Sequence, residues 1–204
     1  MKIIETPMAP NPRRVRIFMA EKGIENVPFE QRDIMAGDFK EPAFTELNPF
    51  QCVPVLILDD GTAISESIAI CRYFEEVQPD PPLFGEGALG HALVEMWQRR
   101  AELGLFFHVT QVFRHLHPKM GHLEVPQVPA WGEANKGKVG DMLRIFDERL
   151  RTTRFIAGET FSIADITALV AIEFMKPAKM TLPDGLEGIA RWHSEVAARP
   201  SAKA

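Results

Sequence analysis

Three short segments of the chain carry residue types that do chemistry. Asn11-Pro12 joins a favoured N-cap residue to the residue favoured at the first helical position, so the pair reads first as the start of a helix. A helix start also presents free N–H donors and partial positive charge, which favour a nearby thiolate or carboxylate. Val53-Pro54 opens an apolar run. As a trans pair it is a first-residue device for a strand; as a cis pair it turns the Val53 N–H and C=O outward, ready to accept an extended peptide as an added strand. The residue types alone favour trans, because cis bonds are a minority before proline. Ser65-Glu66-Ser67 precedes a helical run, and either serine can cap it. The same triplet can read an amino-acid head group: a carboxylate takes the Ser67 N–H and hydroxyl, while Glu66 accepts from an ammonium.

Other candidates are weaker. The only cysteines are Cys52 and Cys71, with no Cys-x-x-Cys, which excludes dithiol exchange and argues for a reducing compartment without a structural disulfide. His115-x-His117 with His122 flanks Pro118 at a helix end and lacks an acidic or cysteine partner, so no metal is expected. Ser162 and Asp165 have the spacing of a capping box. Trp97, Phe106, Phe107 and Phe113 share one long helical run; they read as core or dimer contacts, with one or two lining an apolar pocket.

The elements that must position these residues fall into two groups. Lys2 to Glu5, Val27 to Ile34, Val53 to Leu58 and Thr62 to Ile64 read as strands, with Asp59-Asp60-Gly61 as the turn between the last two. Helices are expected over Arg13 to Lys22, near Phe39 to Leu47, and over Ser67 to Val77. Gln78-Pro79-Asp80-Pro81-Pro82 interrupts any regular element, because its three prolines fix φ and remove donors. Beyond it only helical patterns remain: Gly87 to Leu116, Pro129 to Arg151, the apolar Ala164 to Phe174, and Leu186 to Ala198. The chain therefore reads as an α/β domain over 1–78, a linker over 79–86 and an all-α domain over 87–204.

Composition fits two packed domains. The 204 residues are 46% apolar and 25% charged, which excludes disorder and repetitive fibres. A net charge of −5 argues against non-specific binding to nucleic acid or anionic membranes. No apolar stretch approaches the roughly 18 residues of a membrane span. Met1 to Glu5 leads into a strand-like run with no long apolar signal core, so a cytoplasmic location is expected.

Four segments together carry a family resemblance. Ala9-Pro10-Asn11-Pro12-Arg13-Arg14-Val15-Arg16 with Ala20-Glu21-Lys22-Gly23-Ile24 is the first. Asn48-Pro49 to Val53-Pro54-Val55-Leu56, Glu66-Ser67-Ile68-Ala69-Ile70, and Phe161-Ser162-Ile163-Ala164-Asp165 follow in order. Their order and spacing resemble the cytosolic glutathione transferases over nearly the whole chain, and within them the bacterial Ser/Asn-type, theta- and nu-like classes. The resemblance implies a thioredoxin-like first domain that binds glutathione, a helical second domain, a homodimer and a role in detoxification. It also implies a cis Val53-Pro54 bond, against the preference from residue types. Val53 then pairs with the cysteinyl backbone of glutathione, Glu66 and Ser67 hold its γ-glutamyl end, and Lys40 faces its glycyl carboxylate. Gln51 and Cys52 stand where the family has Gly followed by Lys or Gln, with Gln51 as the substitute contact. Ala9 stands where Ser-type members place the hydroxyl that supports the thiolate. Thr6 belongs to the strand end, which leaves Asn11 as the expected catalytic residue. The implied electrophile pocket draws on Met8, Ala9, Trp97 and Phe107. The implied reaction is conjugation of the glutathione thiolate to an apolar electrophile. Alternatives are glutathione-dependent reduction of disulfides or peroxides, and a non-catalytic glutathione-binding module.

Overall fold

A computed structural model of the protein describes residues 1–33 and 36–204. Contacts divide the chain into two compact units, Met1–Pro82 with Pro200–Ala204, and Leu83–Arg199.

The first unit is built on a four-stranded sheet. Strands β1 (Lys2–Glu5), β2 (Phe29–Gln31), β3 (Val55–Ile57) and β4 (Ala63–Ser65) lie in the order β2-β1-β3-β4. β1 runs parallel to β2 and antiparallel to β3, and β3 runs antiparallel to β4. Helices α1 (Pro10–Glu21), α2 (Pro42–Leu47) and α3 (Ser67–Val77) complete it, with a 3-10 turn over Asp38–Lys40. This is a thioredoxin-like domain. Ile3, Ile4, Val15, Phe18, Val55, Leu56, Ile70 and Phe74 form its interior, each 2% exposed or less. The expected strand over Val27 to Ile34 is realised as Phe29–Gln31, and Ile34 lies outside the described residues.

α1 begins three residues earlier than the Arg13 to Lys22 pattern indicates. Ala9, in extended conformation, is the N-cap, and Pro10 occupies the first helical position. Pro10 serves there as well as Pro12 does, since its missing N–H is unneeded in the first turn. Further on, the Lys22 ammonium is buried: it pairs with Glu75 at 2.5 Å and donates to the carbonyls of Pro79 and Pro81 at 2.9 and 2.6 Å. The proline-rich stretch is thereby tied to α1 and α3. Residues 200–204 dock on the same helix, where Arg13 Nη2 donates to the Ala202 carbonyl at 3.1 Å and the Ser201 hydroxyl donates to Glu21. The expectation of a helical domain running to 204 differs here. A short 3-10 turn over Pro200–Lys203 has too few residues to announce its docking partner in the sequence.

The second unit is all helical: α4 (Gly87–Arg99), α5 (Phe107–Leu116), α6 (Pro129–Leu150), α7 (Ile163–Phe174) and α8 (Glu187–Ala197). The single helix expected over Gly87 to Leu116 is continuous but rewinds as a π-helix over Arg100–Phe106. α7 is its core, with every residue from Ile163 to Ile172 buried. Among the described residues, no helix is long and apolar enough to cross a membrane.

Asp165 organises this unit. Its carboxylate accepts from the N–H of Ile156 and the Trp192 indole on one oxygen, and from the N–H and hydroxyl of Ser162 on the other. Burial raises its pKa from 3.8 to about 6, against the pull of these four donors. The folded state therefore holds more protons than the unfolded state between these values. The stability due to this group falls as pH rises from 3.8 to about 6 and is level above. The Asp165 carboxyl should accordingly titrate near pH 6 when followed by NMR. Asp165→Ala strands four buried donors at about 1–3 kcal/mol each, so urea denaturation should show a loss of several kcal/mol.

Candidate functional site

The sheet register brings the candidate segments of the first unit to one place. Val55 pairs with Ser65 and with Ile4. Val53 lies two residues before Val55, Ser67 two residues after Ser65 and Thr6 two residues after Ile4. The loop after β1, the Val53-Pro54 turn and the start of α3 thus meet at one end of the sheet.

The Val53-Pro54 bond is cis. The preference for trans from residue types is overturned, and the conformation implied by the family resemblance is the one found. Among the described residues, no hydrogen bond engages the Val53 N–H or C=O. The approach to Val53 is held by Asn48, which is 2% exposed. Its Oδ1 accepts from the Phe50 N–H at 3.1 Å, an Asx turn, and its Nδ2 donates to the Cys52 carbonyl at 2.8 Å. Its carbonyl accepts from Gln51, whose φ of 54° is left-handed. Sequence reasoning passed over this role of Asn48, although Asn followed by Pro before a Val-Pro strand start is a turn signal that can reveal it.

At the start of α3, Glu66 is the N-cap with φ 68° and ψ 115°, and no side chain caps the helix. Neither Ser65 nor Ser67 performs the capping that their types suggest. A non-glycine residue held at positive φ is strained backbone, of the kind that clusters at binding sites. Glu66 is exposed, whereas Ser67 is 3% exposed. First-turn N–H groups of α3 are left without a side-chain acceptor, and they carry the positive end of the helix dipole.

The start of α1 is different. Pro10 and Pro12 have no N–H, and Arg13 donates to the Ala9 carbonyl at 3.4 Å, so the backbone donor of this turn without a partner among the described residues is that of Asn11. Its side-chain Oδ1 accepts from Arg14 Nη2 at 2.7 Å. The Thr6 hydroxyl donates to the Arg32 carbonyl at 2.8 Å, which fixes it to the strand end. Arg16 braces the loop between them, donating to the Pro7 carbonyl at 2.6 Å and to Glu5 at 3.3 Å. Burial pushes the Glu5 carboxyl above its usual range, and the Arg16 charge pulls it back.

Comparisons with known proteins decide the family. Residues 9–77 match the family model described as the glutathione S-transferase N-terminal domain, and residues 129–200 match that of the C-terminal domain. The chain is 37% identical over 205 residues to glutathione S-transferase 2 of Saccharomyces cerevisiae, covering all of this chain and 88% of that protein. The chain belongs to the glutathione S-transferase family. Its fold is superposable on the crystal structure of Gtt2 from S. cerevisiae, with a TM-score of 0.95 at 36% identity over 100% and 99% of the two chains. A glutathione S-transferase domain-containing protein of Marinobacter aquaeolei VT8 gives 0.96 at 40% identity, over 98% and 99%.

The remaining expected site residues of this glutathione S-transferase are placed as follows. Lys40 is exposed at the end of the Asp38–Lys40 turn, and Gln51 is exposed beside Cys52. Met8 is 90% exposed, and Ala9 is half-buried. In the helical unit Phe107 is 42% exposed, whereas Trp97 is buried against Phe146 with the guanidinium groups of Arg100 and Arg149 over its ring. His115 Nδ1 accepts from the Val128 N–H at 3.0 Å, and among the described residues no metal-holding group of three or more side chains forms. Asn48→Ala removes both side-chain anchors of the loop before Val53. Loss of about 1–3 kcal/mol in urea denaturation is expected, together with weaker binding of glutathione measured by calorimetry.

Proposed function

We propose that the first unit of this glutathione transferase binds glutathione along the sheet end and that its site activates the thiol for attack on an apolar electrophile. The observation that carries this reading is the Val53 backbone, without a partner among the described residues two positions before the Val55–Ser65 pair, with the uncapped start of α3 two positions after it. An extended tripeptide satisfies both. Its cysteinyl backbone adds to Val53 as an antiparallel strand, with Pro54 setting the turn. Its γ-glutamyl carboxylate takes the Ser67 N–H and hydroxyl, and its ammonium pairs with Glu66. Lys40 and Gln51 face the glycyl end.

The sulfur then lies toward the start of α1. A thiol of ordinary pKa, about 8.5, is only a few per cent ionised at pH 7, so the site must favour the thiolate. Ala9 has no side-chain donor and its N–H is committed to the Thr6 carbonyl, while the Thr6 hydroxyl is committed to Arg32. Asn11 supplies a backbone N–H and a carboxamide, which makes it the catalytic residue of this reading. In the first unit the candidates for contact with the electrophile are Met8 and Ala9; in the second they are Trp97 and Phe107. Phe107 offers the greater exposed apolar surface of that second pair. Transfer to such electrophiles is detoxification chemistry.

A second reading is favoured by the lack of a free hydroxyl in the loop: reduction of small disulfides or peroxides, with glutathione as reductant. The protein should be retained on immobilised glutathione. Parallel assays with an aryl halide and with hydroxyethyl disulfide then separate transferase from reductase, and retention without turnover of either leaves a binding module. Ser67→Ala should raise KM for glutathione with little change in kcat. Asn11→Ala should lower kcat about tenfold, the equivalent of about one pKa unit in the thiol. An unchanged kcat removes Asn11 from its role.

The reading includes a homodimer. Phe50 is 77% exposed at the tip of the loop that Asn48 holds, and Leu89, Leu93 and Met96 form an exposed stripe on α4 at helical spacing. Sedimentation should give twice the chain mass, and Phe50→Asp should shift it toward the monomer.

A further inference from the structure

Arg14 lies three residues beyond Asn11 on α1, on the neighbouring turn, and is 3% exposed. Its Nη2 meets the Asn11 carboxamide at 2.7 Å. A guanidinium has donors only, so the amide atom that faces it must be the oxygen. The Asn11 Nδ2 is then turned away from Arg14, and among the described residues no hydrogen bond engages it.

Two consequences follow for a thiolate beside this amide. The flip that presents N–H rather than C=O is fixed, because the reverse flip would set the NH2 group against a cation. The charge on the oxygen side also draws electron density from the amide nitrogen, which makes its N–H a stronger donor. The need for both is local. Pro10 and Pro12 delete two of the donors that a helix start ordinarily offers to an anion.

We propose that Arg14 is a positioning residue of the transferase reaction: it holds the Asn11 carboxamide with Nδ2 toward the glutathione sulfur and polarises that N–H toward the thiolate. The proposal rests on Asn11 as the thiolate donor and goes one residue beyond it. Arginine suits the task because its rigid planar fork keeps its charge at any working pH.

The test is the pH titration of enzyme-bound glutathione, followed by the ultraviolet absorbance of the thiolate in the full-length protein. Wild type, Asn11→Ala, Arg14→Met and the double variant are compared. Each single variant should raise the thiol pKa by about one unit, which is about tenfold less thiolate below the pKa. The double variant should rise no further than Asn11→Ala alone. Glutathione affinity, which rests on Val53, Glu66 and Ser67, should move less than kcat. An effect of Asn11→Ala without one of Arg14→Met overturns the role of Arg14 and leaves Asn11 in place. No effect of Asn11→Ala overturns the donor reading itself, and the inference with it. Equal shifts from Arg14→Met with and without Asn11 mean that the guanidinium acts on sulfur directly, which also overturns the proposal. Should circular dichroism show Arg14→Met unfolded, Arg14→Gln keeps a donor to Asn11 and removes the charge. An intermediate rise is then expected, and an unchanged titration overturns the proposal.

Discussion

Backbone groups left unpaired at one end of a sheet are the constraint on which the site depends. A peptide N–H or C=O away from water must find a partner, and most of this chain obeys that rule through helices and strands. Val53, two residues before β3 begins, has no such partner among the described residues. The first turn of α3 has no side-chain partner either, because its cap is a glutamate whose side chain makes no capping bond. The two sets of groups flank the Val55–Ser65 pair, which is why the proposed site gives both to one extended ligand. Asn48 keeps the first open by absorbing the polar groups of the preceding loop into its own side chain.

The two helix starts of the first unit divide their labour by composition. α3 begins Ser-Ile-Ala and keeps its N–H groups, so it is suited to a full carboxylate charge. α1 begins Pro-Asn-Pro and keeps few, so the proposed stabilisation of a thiolate there is assigned to a side chain. A helix dipole alone is a weak and easily screened source of such stabilisation. A carboxamide backed by a buried guanidinium is local and directional, which suits a sulfur whose position is set by groups elsewhere on the ligand.

Much of this was legible in the residues. The span of α3, Ser67–Val77, follows directly from its apolar spacing, and the run of prolines after Gln78 marks the end of the sheet-bearing region because proline cannot continue either element. Ser162 and Asp165 declared a capping box, and they form one. The start of α1 was misread because capping propensity favours Asn11 over Ala9, whereas the helix begins at Pro10 with Ala9 as its N-cap. The π-helical turn at Arg100–Phe106 was not read in the sequence, where Gly87 to Leu116 looks like one α-helical run. Arg14 was invisible as a partner of Asn11, because an arginine on a helix is ordinarily a solvated charge. Its burial is a tertiary fact.

Docking of residues 200–204 on α1 carries a consequence for synthesis. The first unit is assembled from two stretches of chain with the whole of Leu83–Arg199 between them, so in topology the helical unit is an insertion within it. During translation the sheet and its three helices emerge first, yet the outer face of α1 waits for its cover until the helical unit has been made. The nascent thioredoxin-like domain therefore spends most of its time on the ribosome incomplete at the helix that also bears Asn11 and Arg14.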